Sequence, residues 1–237
     1  MLLTHHHSYH VGLAGEIQDA SGASVHVHEG DAPLVRGDPD AEAAMRDRME
    51  TLLDAWGMPG DPREELLSFL DSGDVTGLDP EVTTFEDGDQ FDIGSVTLEV
   101  VHLPGHSVGL SGFRFEGTGG PELFSGDALL PYYTPNVGGA DVRVESPLAN
   151  YLRTLTRIID ANYDRAWPGH RGVIIDPAGR AADIVVHHRD RTGKVVDYLR
   201  AEGPADAWTV SAHLFGGLSS IHILHGPGEA YAHLGHL

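Results

Sequence analysis

Histidine and aspartate residues recur in this chain at the ends of predicted strands, in a spacing that suits metal binding. The first group lies in the segment 4–10, THHHSYH, where His5, His7 and His10 are spaced as H-x-H-x-x-H. Three further residues of ligand type each follow a glycine, namely His106, Asp127 and His170. Neutral imidazole and carboxylate groups hold zinc or iron where thiolates are absent, and the chain has no cysteine. A glycine beside a ligand lets its loop bend sharply. The pattern therefore predicts one metal centre built from all six residues.

The other eleven of the 16 histidines show no comparable spacing. We interpret them as surface or core residues, because a single histidine is most often structural or solvated. They are His6, His26, His28, His102, His187, His188, His213, His222, His225, His233 and His236. Five histidines and Asp127 are left with a predicted role in metal binding.

Taken together, these motifs resemble the metallo-β-lactamase fold superfamily, whose signature is T-H-x-H-x-D-H followed by G-H, G-D and G-H. Further segments resemble one subgroup, which carries a winged-helix-like C-terminal unit and includes an endoribonuclease-like branch. These segments are Gly126-Asp127, Thr134-Pro135-Asn136, Pro147-Leu148, Tyr151-Leu152, Pro168-Gly169-His170 and His188-Arg189. The similarity covers nearly the whole chain. It implies an α+β fold, an αββα sandwich with metals at one edge of its two sheets.

The resemblance also implies roles for the candidate ligands. It assigns His5, His7 and His106 to a first metal site, His10 and His170 to a second, and Asp127 to the bridge between them. It implies one or two Zn²⁺ ions, with iron or manganese as alternatives. In the family, a metal-bound hydroxide attacks a carbonyl or phosphoryl centre. The expected activity is hydrolysis of an ester, thioester or lactone of a small molecule, and the alternative is a metal-dependent endoribonuclease.

Tyr9 departs from the family signature, because it stands where the family has an aspartate that ligates the second metal and orients water. A phenol with a pKa near 10 performs neither task well unless a metal ionises it. Three interpretations stay open for this candidate catalytic residue. In the first, the second site is weak and the activity impaired, as in a metal-binding pseudoenzyme. In the second, Tyr9 points away while His10, Asp127 and His170 still hold a metal. In the third, Tyr9 is a phenolate ligand that favours ferric iron.

The hydrophobic pattern predicts the elements that position these residues. We expect a helix over 11–20, a strand over 24–28 and an acidic helical insert over 38–72 that covers the body. A turn at 87–89 predicts a hairpin between strands 83–85 and 90–93. Strands are then expected at 96–103, 110–115, 122–124 and 165–167, with helices from Pro147 and Pro177. The domain prediction is a catalytic domain over 1–186 and a winged-helix-like unit over 187–237, with helices at 208–215 and 229–237.

The ends of the chain depart from the family pattern as well. Only four residues precede the first histidine motif, where the family has several strands, and the last strands of the C-terminal unit are missing. We expect a fragment or a misplaced start, and a fold without its first strands. An unpaired sheet edge invites pairing with another chain, so we expect a homodimer and poor solubility of the monomer.

Charge and composition restrict the partners. The formal net charge is −21, and residues 1–176 carry a net −20 against −1 for residues 177–237. A nucleic-acid-binding C-terminal unit should be basic, so the charge argues against nucleic acid as a partner and favours a small-molecule substrate. No apolar run approaches the roughly 20 residues of a membrane helix, and no signal peptide is evident, so we predict no membrane partner and a cytoplasmic location. The loop 128–144, with Tyr132, Tyr133, Pro135 and Asn136, is expected to wall the substrate pocket.

Overall fold

The computed structural model describes residues 1–71 and 77–237, so residue 72 of the predicted insert lies outside the described residues. Strand β1 (Val25–His28) pairs in parallel with β2 (Val82–Phe85). The start of the chain runs alongside, because Leu2 bridges His26 in parallel and Leu3 N donates to His26 O at 2.8 Å. The start of the chain therefore enlarges this small sheet and leads directly into His5.

The larger sheet has five strands in the order β3-β4-β5-β6-β7. They are β3 (Gln90–Ile93), β4 (Val96–His102), β5 (Ser111–Glu116), β6 (Pro121–Gly126) and β7 (Arg165–Pro168). Neighbouring strands are antiparallel except β6 and β7, which are parallel. The carboxyl ends of β6 and β7 consequently meet at one edge of the sheet, where Asp127 and His170 follow them.

The predicted hairpin around residues 87–89 is wrong, because β2 pairs with β1 whereas β3 pairs with β4. The Asp87-Gly88-Asp89 turn instead carries the chain from one sheet to the other. Its Gly88 N donates to Val100 O at 2.9 Å, and the Asp87 carboxylate accepts from His102 N at 2.7 Å. A turn signal is local, whereas strand pairing is decided by the apolar face that each strand buries.

Helices cover the outer faces of both sheets. On the small sheet lie α1 (Ser8–Val11), α2 (Ala14–Ser21) and α3 (Ala32–Val35), whose buried or partly buried apolar residues pack against Val25 and Val27. On the large sheet lie α6 (Pro147–Ala161) and α7 (Pro177–Glu202). Phe85, Val100 and Phe113 fill the space between the sheets. The predicted α+β class and αββα sandwich are confirmed.

The helical insert packs on the C-terminal helices. It consists of α4 (Pro39–Ala55) and α5 (Gly60–Asp71), and it shares a core with α8 (Ala207–Phe215) and α9 (His222–Leu234). Trp56 is central to this core, because its carbonyl accepts from Trp208 N at 2.9 Å and its ring lies 5.7 Å from that of Tyr231. The boundary expected between 186 and 187 falls inside α7, and the domain division and winged-helix-like unit stay predictions, as does the homodimer.

Helix α9 begins at His222, seven residues before the predicted start at 229. The Gly226-Pro227-Gly228 segment, which precedes the predicted start, lies within the helix. A Cβ atom on Gly228 would lie 2.4 Å from Gly139 Cα. The glycine therefore permits a close approach between the helix and the loop after β6. Among the described residues, no helix is both long and apolar enough to cross a membrane.

Candidate metal centre

The six predicted ligands converge at one edge of the sandwich. His5 ends the extended first segment, which is fixed to β5 because Ser111 N donates to Thr4 O at 2.9 Å. His7 follows this segment directly and His10 lies in the short helix α1, whereas the other three lie on the connections after β4, β6 and β7; they are His106, Asp127 and His170. Strand ends thus carry the site, as the glycine-rich spacing predicts.

Three histidines form the tighter group. His5, His7 and His106 each offer one ring nitrogen, and these atoms all lie within 4.8 Å of one another. His7 Nδ1 and His106 Nε2 are 3.0 Å apart. His5 is fully buried, and its Nε2 has no hydrogen-bond partner.

The other ring nitrogen of each of these histidines is held by a neighbour. His5 Nδ1 lies 3.0 Å from Thr4 Oγ1. His7 Nε2 donates to Ala140 O at 3.0 Å, and His106 Nδ1 donates to Asn136 O at 2.9 Å. In a neutral imidazole only one nitrogen carries a proton, so His7 Nδ1 and His106 Nε2 face each other as bare lone pairs. A cation between them would remove this repulsion, and such second-nitrogen contacts are typical of histidine metal ligands.

Asp127 lies between this group and the remaining histidines. Its Oδ2 is 3.8 Å from His106 Nε2 and 3.3 Å from His170 Nε2, and its Oδ1 is 3.6 Å from His10 Nε2. Asp127 Oδ1 is buried without a hydrogen-bond partner, and His5, His10 and Asp127 form a second group of ligand atoms within 4.8 Å. This is the position that a bridging carboxylate would take.

The protonation states suit metal binding. Burial, and then the neighbouring histidines, hold the pKa values of His5 and His7 well below the usual value for histidine. Burial also lowers the pKa of His106, although Asp127 opposes that effect. Burial would raise the pKa of Asp127, but His10, His106 and His170 lower it below its usual value. His5, His7 and His106 are therefore neutral imidazoles beside an ionised Asp127 carboxylate, which is the ligand form of each group.

Tyr9 does not join these residues. It lies in α1, and 92% of its surface is exposed. Its side chain lines a shallow surface groove with Leu13 and Ile17. The phenol therefore points away from the six converging side chains.

Sequence reasoning missed Asp31, which connects the two loops that carry the first three histidines. Its fully buried carboxylate accepts from His6 N at 3.1 Å and Ser107 Oγ at 2.9 Å through Oδ2. Through Oδ1 it accepts from Gly109 N at 3.0 Å and Arg143 Nη2 at 2.8 Å. Gly30-Asp31 follows a strand as Gly126-Asp127 does, so the same Gly-Asp signal could have found it.

A cavity of about 440 Å³ opens beside the candidate ligands. Tyr133, Pro135 and Asn136 line it, whereas Tyr132 is 82% exposed and does not. None of the described residues of the insert 38–72 lines the cavity, although we expected the insert to cover the substrate side of the body; residues of α8 and α9 line it instead. The insert buries its apolar face against these two helices and leaves the wall to them.

Comparison with known proteins agrees with this geometry. The protein-family model described as "Metallo-beta-lactamase superfamily" matches residues 1–170. "Beta-lactamase-like protein 2 homolog" of Drosophila melanogaster is 30% identical over 111 residues, 46% of this chain and 34% of that protein. "Lactamase-like protein aptB" of Emericella nidulans is 29% identical over 113 residues, 48% of this chain and 33% of that protein. The matches thus span about a third of the length of these curated relatives.

Two solved structures match over the whole chain. A metallo-beta-lactamase family protein from Thermus thermophilus has a TM-score of 0.81 at 32% identity, covering 100% of this chain and 73% of that chain. A beta-lactamase domain protein from Burkholderia ambifaria has a TM-score of 0.81 at 27% identity, covering 100% and 68%. The family pattern, the fold and the converging histidines agree, and the chain therefore belongs to the metallo-β-lactamase superfamily.

Proposed function

We propose that the protein is a metal-dependent hydrolase of small-molecule esters, thioesters or lactones. The observation that carries the proposal is the 3.0 Å approach of His7 Nδ1 to His106 Nε2, with the other nitrogen of each ring at a backbone carbonyl. Together with the orphaned His5 Nε2, these two nitrogens form a donor set that suits Zn²⁺, with iron or manganese as alternatives. These three histidines would hold the first ion.

The second ion would be held by His10, Asp127 and His170. A metal bound at this centre lowers the pKa of water towards about 7 and polarises a carbonyl group. Asp127, whose Oδ1 is buried without a hydrogen-bond partner and lies 3.6 Å from His10 Nε2, would serve as a ligand at this centre. The 37% exposed side chain of His170 stands at the edge of the cavity, where substrate would enter.

The exposed Tyr9 favours one of the three interpretations of its position. A side chain that is 92% exposed supplies neither a phenolate ligand nor a clash with the second site. His10, Asp127 and His170 then act without the aspartate that the family has at this place. We therefore propose catalysis with a second site of three protein ligands.

The cavity supports a small-molecule substrate over RNA. Among the described residues that line it, none is lysine or arginine, and residues 177–237 carry a net charge of only −1. Binding of RNA derives much of its affinity from phosphate contacts with basic side chains. The endoribonuclease alternative has no comparable support from this cavity.

The test is turnover by the zinc-loaded protein. A panel of thioesters, esters and lactones is compared with a single-stranded RNA, with metal content measured on the same sample. We expect ester-type turnover that falls at least about 100-fold in His106→Gln, since removal of a ligand disrupts the centre, and is unchanged in the exposed control His236→Gln. RNA cleavage alone would establish the endoribonuclease, and bound metal without turnover would establish a pseudoenzyme.

A further inference from the structure

Two histidines of α9 face the same cavity as the candidate ligands. His222 and His225 are three residues apart, so they lie on one face of the helix, and their ring centroids are 5.8 Å apart. Neither side chain makes a hydrogen bond to any described residue. By contrast, the buried His233 elsewhere on α9 is tied to Thr192 Oγ1 at 2.8 Å. The cavity-facing pair is therefore left free for a ligand.

The pair is held in a fixed relation to the candidate metal centre. Asn136 O accepts from the ring of His106, and Asn136 Nδ2 donates to His225 O at 3.1 Å. One residue thus joins a predicted ligand to the helix that carries the pair. The close approach of Gly228 to Gly139 fixes α9 against the same loop. A substrate bound at one end of this cavity would meet imidazoles at a defined place at the other.

Apolar side chains make up most of the remaining wall, namely Leu130, Tyr133, Pro135, Phe215 and Leu218. Arg180 and Arg191 contact some of these residues but are already occupied. Arg180 donates to Leu130 O at 2.7 Å and to Tyr133 O at 3.0 Å, and Arg191 pairs with Glu229. Apart from the proposed metal ions, no lysine or arginine in the described lining is available to an anionic group, and Glu229, which also lines the cavity, is held by Arg191. An uncharged ligand loses least on entering such a surface.

We propose that this cavity is an acyl-binding subsite for uncharged substrates, in which His222 and His225 hydrogen-bond an oxygen of the acyl group. The inference rests on the proposed hydrolase function, and it adds the substrate class: an apolar acyl chain with a hydroxyl or carbonyl oxygen, rather than a phosphate or carboxylate. Burial, and then His222 and His106, lower the pKa of His225 to about 4. A neutral imidazole offers both a donor and an acceptor to such an oxygen.

The test is equilibrium binding of uncleaved anilides to the metal-loaded protein by calorimetry. The three probes are the anilides of hexanoic acid, 6-hydroxyhexanoic acid and 6-sulfohexanoic acid, which differ only at the chain end. We expect the hydroxylated and plain anilides to bind at least about 10-fold more tightly than the sulfonate. His225→Leu and His222→Leu should each weaken the hydroxylated anilide roughly 2- to 10-fold, the equivalent of one net hydrogen bond, and leave the plain anilide unchanged.

His236→Leu is the matched control, because it makes the same change on an exposed side chain. Should His225→Leu fail to fold, the exposed His222→Leu still decides the result. Equal or tighter binding of the sulfonate, no effect of either leucine variant on the hydroxylated anilide, or no binding of any anilide would overturn the subsite. Failure of the hydrolase proposal looks different, because esters would then not turn over even though the anilides still bind with the expected preference.

Discussion

Replacing Asp31 with asparagine tests whether this buried carboxylate holds the two ligand-bearing loops together. Each of its oxygens accepts two hydrogen bonds, from His6 N and Ser107 Oγ on one side and from Gly109 N and Arg143 on the other. An amide group can accept on one side only, so its NH₂ would face two donors. Each buried donor left without a partner costs about 1–3 kcal/mol.

The carboxylate also balances the charge of Arg143, which keeps Asp141 as a second partner at 2.7 Å. Breaking a buried ion pair costs about 3–5 kcal/mol. Because Arg143 keeps Asp141 as a partner, we expect Asp31→Asn to lower the free energy of unfolding by about 3–5 kcal/mol in total. That is a large part of the roughly 5–15 kcal/mol by which a domain is stable. Urea unfolding of the metal-free protein, followed by tryptophan fluorescence, measures the loss. The exposed neighbour Glu29, changed to glutamine, should stay within about 0.5 kcal/mol of the wild type.

The same variant should weaken zinc binding about 10- to 100-fold, because contacts behind the ligands orient them. The pH dependence follows from the pKa of Asp31. Burial alone would raise it, but His6, Arg143 and Ser107 hold it well below its usual value. The stabilisation by Asp31 is thus fully present above about pH 4 and is lost as the pH falls further. A variant as stable as the wild type at pH 7, or a less stable one with undiminished zinc affinity, would refute this role.

Three further predictions address Tyr9, helix α9 and the buried histidines. Tyr9→Phe should leave zinc content and turnover within about 2-fold of the wild type, because the Tyr9 side chain is 92% exposed; a large loss of either would show that Tyr9 is a ligand. Gly228→Ala should lower the free energy of unfolding by about 1–3 kcal/mol, because the new methyl group would meet the backbone of Gly139. Gly217→Ala serves as the control in the same urea series, because no atom lies within 4 Å of its Cβ position. Burial, and then neighbouring charged groups, lower the pKa of His188 to about 3 and that of His233 to about 4. Both rings are thus neutral in the folded protein, and the free energy of unfolding should fall as the pH drops from about 6.5 towards 4. Urea unfolding of His188→Gln should show a smaller fall over this range. A fall equal to that of the wild type would contradict the role of His188.

The sequence was most informative where chemistry limits the choice of residue. A histidine or aspartate beside glycine at a strand end has few structural explanations, so the convergence of His5, His106 and Asp127 could be predicted from spacing and family resemblance. The Asp176-Pro177 start of α7 is similarly local, and the Asp176 side chain does accept from Gly179 N at 2.8 Å. Ser146 looks like the same signal, yet it has a left-handed backbone and no side-chain cap. The two local sequences are alike, so tertiary contacts determine which of the two side chains caps its helix.

What sequence reasoning missed depends on contacts between distant segments. The turn after β2 could not reveal that its strands belong to different sheets, because pairing is set by which apolar faces are buried together. The last helix was predicted to start at 229 and starts seven residues earlier, because no local pattern shows that Gly228 packs against Gly139. Asp31 was missed since its partners come from segments up to 112 residues away.

Metal analysis of the purified protein tests the central claim most directly. Mass spectrometry of the dialysed protein, combined with zinc titration, gives the number and affinity of bound ions. We expect one or two equivalents of tightly bound metal per chain, zinc foremost, and loss of at least one equivalent in His106→Gln but not in His236→Gln. A folded protein that retains no metal and takes up no zinc, iron or manganese would contradict the assignment of these six side chains as a metal centre.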